Sequence, residues 1–456
     1  MSNLLSVLSL NCWGLFAVSK EREFRLHAIA DYIASTRHDV VALQELWVWE
    51  DFEYLKTVAI HNYPHMRYFY SGALGSGLAI LSRHPIIEHS YFRYALAGRP
   101  LKVFHGDFYV GKGSGSICIN HPEAGLIDIY TTHLHAGYGR RKEYEGHRIT
   151  EAWELCKLMR ASAAAGRHVI AMGDFNALPT SFPYRLLIEH GAMTDSWKQV
   201  SGFDMNQTPI DDNLTAEAAI NVLGVTCDSP TNSWSKHFLK QSANKKKYGD
   251  RLDYIFYRPN PQMECVKSNV VLTENIPGTE MSYSDHFGVC SVFNVARKDA
   301  KSLQDDACYS NLSQDVIDGI VATLQSDQVA SKKTANFLLR SLAAMLFAII
   351  ALIVIIVALP TAFRLHDRGD IVTVIVTLFG GLLLAACALV APVALIVGFV
   401  FGHTEQRALL QFLEEIDTLK SVIKSAALDG DLIQMHDEEL STPGRRRSTN
   451  GNTLEQ

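Results

Sequence analysis

The chain has 456 residues, 48% of them hydrophobic and 20% charged, with a formal net charge of −6 at pH 7. That length holds one large domain or two ordinary ones. The acidic balance, with no basic stripe in the N-terminal part, counts against a nuclease and against nucleic acid as the main partner, because neutralising phosphate takes clustered positive charge. The eight cysteines, Cys12, Cys118, Cys156, Cys227, Cys265, Cys290, Cys308 and Cys387, show no C-x-x-C spacing, so neither a zinc site nor a redox motif is indicated. No basic segment precedes residues 4–10 and no small-residue cleavage site is evident. The N-terminus therefore reads as lacking a signal peptide, and the N-terminal region is expected in the cytosol with its thiols reduced.

Residues 1–297 alternate short apolar runs with helical stretches. The runs 4–10, 40–43, 78–81, 127–132, 169–172, 253–257 and 289–293 are bounded by turn or polar residues and predict strands. Residues 21–35, 141–165 and 182–189 carry apolar positions at helical spacing, with Pro183 acceptable in a first helical turn. The alternation predicts a mixed α/β domain of stacked sheets with helices outside. Residues 206–249, ending near Lys245-Lys246-Lys247, read as a polar, turn-rich surface loop.

Residues 298–340 read as a polar linker with some helical character. Beyond it, 341–363 and 371–402 are uncharged and long enough to cross a bilayer core, which takes about 20 apolar residues of helix. The short connection between them makes them an antiparallel hairpin spanning 341–402. Lys332, Lys333 and Arg340 before the first span, against Arg364 and Arg368 in the loop, favour the N-terminal side as cytosolic. Pro392 is expected to kink the second span. In the remainder, 403–456, Leu409, Phe412, Ile416, Leu419 and Ile423 recur at helical spacing. They fit a short coiled coil, and hence an oligomer, or equally an amphipathic helix on the membrane surface; the tail around Arg445-Arg446-Arg447 reads as disordered.

Five polar elements stand at the ends of the predicted strands: Asn11; Gln44-Glu45; His133; Gly173-Asp174-Phe175-Asn176; and Ser284-Asp285-His286, with Arg251-Leu252-Asp253-Tyr254 ahead of it. Each has an ordinary explanation alone. A lone Glu45 is a surface carboxylate, Asp174 and Asn176 can make an Asx turn, and His133 can be a satisfied core histidine. In this order and together they suit hydrolysis of a phosphodiester. A hard cation takes oxygen ligands, so Glu45 can hold Mg²⁺ and Asn11 can lend an amide oxygen or hold a metal-bound water. An imidazole that titrates near neutrality makes His286 the best base for activating water, with Asp253 placed to fix its tautomer. Asp174 and Asn176 can position nucleophile or phosphate, and His133 can donate to a phosphoryl oxygen. Lys112, flanked by Gly111 and Gly113, either approaches the phosphate or is an exposed turn lysine. Trp47, Trp49, Tyr138 and Trp234 are cradles for a choline, though packing is the commoner use of such residues.

The set Asn11, Gln44-Glu45, Gly75-Ser76-Gly77-Leu78, His133, Gly173-Asp174-Phe175-Asn176, Arg251-Leu252-Asp253-Tyr254 and Ser284-Asp285-His286 resembles the endonuclease/exonuclease/phosphatase superfamily. Within it, Leu10-Asn11-Cys12-Trp13-Gly14, Thr132-His133-Leu134-His135-Ala136, Ala152-Trp153-Glu154-Leu155, His105-Gly106-Asp107-Phe108 and the C-terminal hairpin are similar to the neutral sphingomyelinases of the two-span animal type. Phe175 stands where many relatives carry Leu. The resemblance implies a DNase I-like four-layered α/β/β/α sandwich over residues 1–297. It also implies Mg²⁺-dependent hydrolysis of membrane sphingomyelin to ceramide and phosphocholine, and an endoplasmic reticulum location. It assigns the metal to Glu45 and Asn11, the base to His286 and its orienting partner to Asp253 or Asp285. His133, Asp174 and Asn176 would bind phosphate, metal or water. A lysophospholipase C and an inositol-phosphate phosphatase are the alternatives on the same scaffold.

Overall fold

The computed structural model describes residues 3–16, 18–137, 143–204, 208, 210–211, 213–235, 248–298, 310–363 and 369–441, the last helix by its backbone alone beyond 425. Lys245-Lys246-Lys247, Tyr138, Cys308 and the 445–447 arginines lie outside these residues. Twelve strands build two sheets: β1 (Leu4–Asn11), β2 (Val40–Gln44), β3 (His65–Phe69), β4 (Leu78–Ser82), β5 (Ile86–Arg93), β6 (Gly113–His121), β7 (Gly125–His133), β8 (His168–Asp174), β9 (Thr194–Asp195), β10 (Asp253–Tyr257), β11 (Met263–Val271) and β12 (Gly288–Val295). One six-stranded sheet runs β11-β12-β1-β2-β4-β3 and the other β5-β6-β7-β8-β10-β9. Only β1–β2 and β7–β8 pair in parallel; the other neighbours are antiparallel.

The period of two along a strand sorts side chains between faces. Leu5 and Val7 of β1, Val40 and Ala42 of β2, Ile127 and Ile129 of β7, Ile170 and Met172 of β8, and Ile255 and Tyr257 of β10 meet in one core between the sheets. The intervening Leu8, Leu10, Val41 and Leu43 face the other way, onto the helices Arg22–Ser35 and Trp49–Ala59. Tyr130, Val169, Ala171 and Phe256 likewise cover themselves with the helix Glu145–Ala164. The result is the expected α/β/β/α sandwich.

The helix Gln314–Phe363 runs unbroken from the predicted linker into the first apolar stretch. Val316, Ile317, Ile320 and Leu324 pack in the second sheet's outer layer, whereas Phe347, Ile350 and Val354 are exposed, as a lipid-facing helix requires. The return helix Gly369–Leu395 holds Pro392 inside it, with a widened π-type turn at Ile396–Phe401. The final helix, Gly402–Ser441, corrects one expectation. Leu409, Phe412 and Ile416 are buried against the catalytic domain, with Leu419 and Ile423 beside them, so this stripe serves neither a coiled coil nor a membrane surface. Glu145–Ala164 is thus covered on both sides, which explains why it buries polar residues as well: Trp153 Nε1 donates to Glu415 at 2.7 Å, and His147 Nε2 lies 3.1 Å from Glu405.

Candidate active site

The strand ends converge because of register. Asn11 pairs with Gln44, His133 with Asp174, and Asp174 with Asp253, so the C-terminal ends of β1, β2, β7 and β8 and the start of β10 lie at one edge of the sandwich. Asn11, Gln44, His133, Asp174 and Asp253 each continue the inward phase of their strand by one step beyond the apolar core. The same alternation that buries aliphatic residues therefore aims these polar groups at each other. Gln44 ties the sheets, donating to Thr131 Oγ1 at 3.1 Å.

Asn11 Nδ2 donates to Glu45 Oε1 and to Asp174 Oδ2, both at 3.0 Å, while its Oδ1 accepts from the Trp13 N–H at 3.0 Å. The amide oxygen is thus already engaged. Through Nδ2, Asn11 ties the two carboxylates together. Glu45 sits in the left-handed region at φ 56°, a conformation costly for a non-glycine residue and found where side-chain direction matters. His133 Nε2 lies 3.5 Å from Asp174 Oδ2 and 4.0 Å from Glu45 Oε1. Across the site, His286 Nδ1 meets Asp253 Oδ2 at 2.8 Å, and its Nε2 is 3.9 Å from Asp174 Oδ2. Asp285, the alternative partner, makes no bond to His286; its Oδ1 accepts from the Ser284 hydroxyl at 3.3 Å. Asn176, also at positive φ (45°), gives its backbone N–H to Asp174 Oδ1 at 2.9 Å and its Nδ2 to the Leu134 carbonyl at 3.0 Å.

Burial and the neighbouring Asp253 push the Asp174 carboxyl up to about 6. Burial likewise raises Asp285 to about 7. Burial disfavours the His286 imidazolium, yet Cys227, Asp253 and Asp174 together outweigh it and hold the ring well above the ordinary histidine value. His133 moves the opposite way, driven well down by burial and by the positive charges of Lys112, His286 and His135. Two carboxylates that share one amide donor are a candidate donor set for a divalent cation, whose charge would favour the ionised form of Asp174. The candidate ligand atoms of Glu45, His133 and Asp174 lie within 4.8 Å of one another, and those of Asp174, Asp253 and His286 form a second such group. Oxygen-rich donors of this kind suit Mg²⁺.

Two contacts were not legible in the sequence. Cys227 Sγ stands 3.4 Å from His286 Nε2, and Thr226 Oγ1 accepts from the Leu252 and Asp253 amides at 3.1 and 3.2 Å. Lys112 is not an exposed turn lysine, one of its two sequence alternatives. It is buried, pairs with Asp107 at 2.9 Å and donates to the Leu134 carbonyl at 2.9 Å, the oxygen that also anchors Asn176. Trp234 bonds the Ser282 carbonyl and packs on Trp13, and Trp49 packs on Phe52, Tyr68 and Tyr70, so both serve the scaffold. Gly173, at φ 149°, precedes Asp174 where a Cβ would lie 2.0 Å from the Thr132 carbonyl oxygen. Gly173→Ala is accordingly expected to cost about 3 kcal/mol through overpacking against backbone that cannot yield. A lowered melting temperature in detergent is the readout.

A groove of about 580 Å³ opens beside these groups, bordered by Gly137, Glu145, Arg148, Asn176, Cys227 and His286. Residues 8–286 match the model of the Endonuclease/Exonuclease/phosphatase family. The inositol phosphosphingolipids phospholipase C of Schizosaccharomyces pombe is 34% identical over 426 residues, covering 93% of this chain and 96% of that one. Sphingomyelin phosphodiesterase 2 of Rattus norvegicus is 31% identical over 306 residues, 67% of each chain. Among solved structures, sphingomyelinase C from Streptomyces griseocarneus aligns with a TM-score of 0.45 at 17% identity, over 63% of this chain and 99% of that one. By the family match and by likeness along almost its whole length, the chain belongs to the endonuclease/exonuclease/phosphatase family.

Proposed function

We propose that the chain is a Mg²⁺-dependent phosphodiesterase of the phospholipase C type, anchored by its C-terminal hairpin and acting on phosphosphingolipids. The convergence of Glu45, Asp174, His133, Asp253 and His286 around one point, on five strand ends, carries this reading. Water attacks phosphorus, the bond from phosphorus to the ceramide oxygen breaks, and ceramide and the phosphorylated headgroup leave. A cation at Glu45 and Asp174 would offset the carboxylates that hold the His286 ring up and so favour its neutral form, whose Nε2 would take the water proton; Asp253, bonded to Nδ1–H, fixes that tautomer and stabilises the imidazolium. Asn11 orients the carboxylates, Asn176 and His133 face the phosphoryl oxygens, and Asp174 spans the two halves of the site. Glu45 and Asp174 would hold Mg²⁺, which when bound would supply positive charge for the phosphoryl oxygens and the departing alkoxide.

The headgroup divides two readings. Motifs within the catalytic domain point to sphingomyelin. Similarity that continues through the C-terminal helices, over 96% of the S. pombe phospholipase C, favours an inositol phosphosphingolipid instead, since the sphingomyelin phosphodiesterase match stops at 67%. The basic residues before the first span favour the cytosolic face for the domain, and the family resemblance favours the endoplasmic reticulum as the membrane. The test is headgroup release by solubilised full-length protein from inositol phosphoceramide, sphingomyelin, a lysophosphocholine lipid and a phosphoinositide, with EDTA and then Mg²⁺. Ceramide release abolished by EDTA and restored by Mg²⁺ is expected. Turnover confined to the lysolipid or the phosphoinositide, or indifferent to EDTA, would overturn the reading.

A further inference from the structure

Between β5 and β6 the chain crosses to the base of the apolar hairpin. Polar bonds hold this crossing firmly on its inner side. Gly98 N–H donates to His147 Nδ1 at 3.0 Å, Arg99 Nε pairs with Glu405 at 2.9 Å, Lys102 pairs with Glu143 at 3.2 Å, and the Pro100 carbonyl accepts from Tyr109. Its apolar side chains nonetheless point outward: Leu101 is 48% exposed, Val103 58% and Phe104 103%. A well-anchored segment that presents three neighbouring apolar residues outward marks an interaction surface.

The surroundings identify what covers it. Phe108, at the end of the crossing, meets Phe401 edge to face at 5.1 Å. An apolar cavity of about 420 Å³ separates the crossing from the two helices and is walled by Leu101, Ala335, Leu338, Val397 and Phe401 among others. These helix residues lie at the domain end of the apolar stretches, where Gly398 and Gly402 let the helices cross closely over Leu338 and Ala335. Through Leu101, which walls this cavity, the exposed run adjoins the domain end of the apolar hairpin, where its lipid-facing surface begins. Aliphatic and aromatic side chains at that level are accommodated by the boundary between headgroups and acyl chains.

We propose that residues 101–104 form a membrane-inserting wedge, with Leu101, Val103 and Phe104 entering the acyl-chain boundary of the leaflet where the two spans begin. The inference rests on reading the apolar helices as spans. It also bears on the active site. Lys102 grips Glu143, just before Glu145 on the groove's rim, and His105 bonds Tyr144, whose ring stacks on His135 at 3.9 Å. Inserting the wedge thus holds one wall of the groove at the bilayer surface, where a lipid phosphate lies.

Full-length Phe104→Trp and Phe347→Trp, reconstituted in phosphatidylcholine vesicles with brominated or ordinary acyl chains, test this by difference fluorescence against the parent protein. Phe347 is 75% exposed, lies within the first span and reports on the spans themselves. Bromines high on the acyl chain are expected to quench the Phe104→Trp signal by about half, as an apolar group buried about 5–10 Å at the interface would be. Deep bromines are expected to quench Phe347→Trp. If Phe347→Trp is quenched and Phe104→Trp responds only to aqueous acrylamide, the wedge is wrong and the spans stand. If bromines quench neither, the hairpin does not cross the membrane and the wedge falls with it.

Discussion

His286→Ala is expected to lower kcat on the phosphosphingolipid by about 10³-fold while changing KM little, the loss typical of removing a positioned general base. The argument is geometric. Asp253 Oδ2 lies 2.8 Å from Nδ1, so the ring presents Nε2 toward Asp174, and the 3.9 Å gap between Nε2 and Asp174 Oδ2 suits a shared water. His133 has its Nε2 turned to the Asp174 and Glu45 carboxylates, at 3.5 and 4.0 Å, and no carboxylate holds its Nδ1 as Asp253 holds that of His286. Steady-state kinetics on mixed micelles, with circular dichroism to establish folding, is the measurement. A variant within tenfold of the parent would place the proton acceptor elsewhere.

Glu45→Gln is expected to abolish most activity, by about 10²-fold or more at the Mg²⁺ concentration that saturates the parent protein, and to weaken Mg²⁺ binding by calorimetry. The substitution keeps the shape and an oxygen for the Asn11 Nδ2 bond, so it removes charge without unmaking the site. A hard cation with few protein ligands depends on each carboxylate, and even supporting residues around metal sites are worth about 10- to 100-fold. Unchanged Mg²⁺ affinity would mean that Asp174 and the second group, with Asp253, hold the ion without Glu45.

What could be read from the chain, and what could not, follows from how local each signal is. The strands missed in the sequence are of two kinds. β3, β5, β9 and β11 are the edge strands, and most of their side chains are only partly buried or exposed, so their apolar pattern is diluted. β6 is internal but glycine-rich. At Gly115 a Cβ would meet the Phe69 ring at 2.5 Å, and at Gly113 the Phe92 carbonyl at 2.2 Å, so close packing selected residues that local propensity reads as loop.

The site residues were legible for the opposite reason. Each stands at or just beyond the end of an apolar run, Asn11, Gln44, His133, Asp174 and Asp253 in phase with the residues that face the inter-sheet core, and the order of those runs is a property of the chain alone. The two apolar stretches near the C-terminus are equally local, since length and absence of charge suffice. How the polar groups share the chemistry is not local. Asn11 turning its amide N–H toward Glu45 and Asp174, Asp253 in place of Asp285 behind His286, Cys227 beside Nε2 and Lys112 beneath Leu134 all join residues from separate elements. The final helix makes the same point: its stripe of Leu409, Phe412 and Ile416 announces a partner, but a helical repeat is identical whether that partner is another helix, a lipid surface or the catalytic domain. Periodicity tells each segment which face to bury. Which group meets which is settled only when distant segments compete for the same space and the same hydrogen bonds.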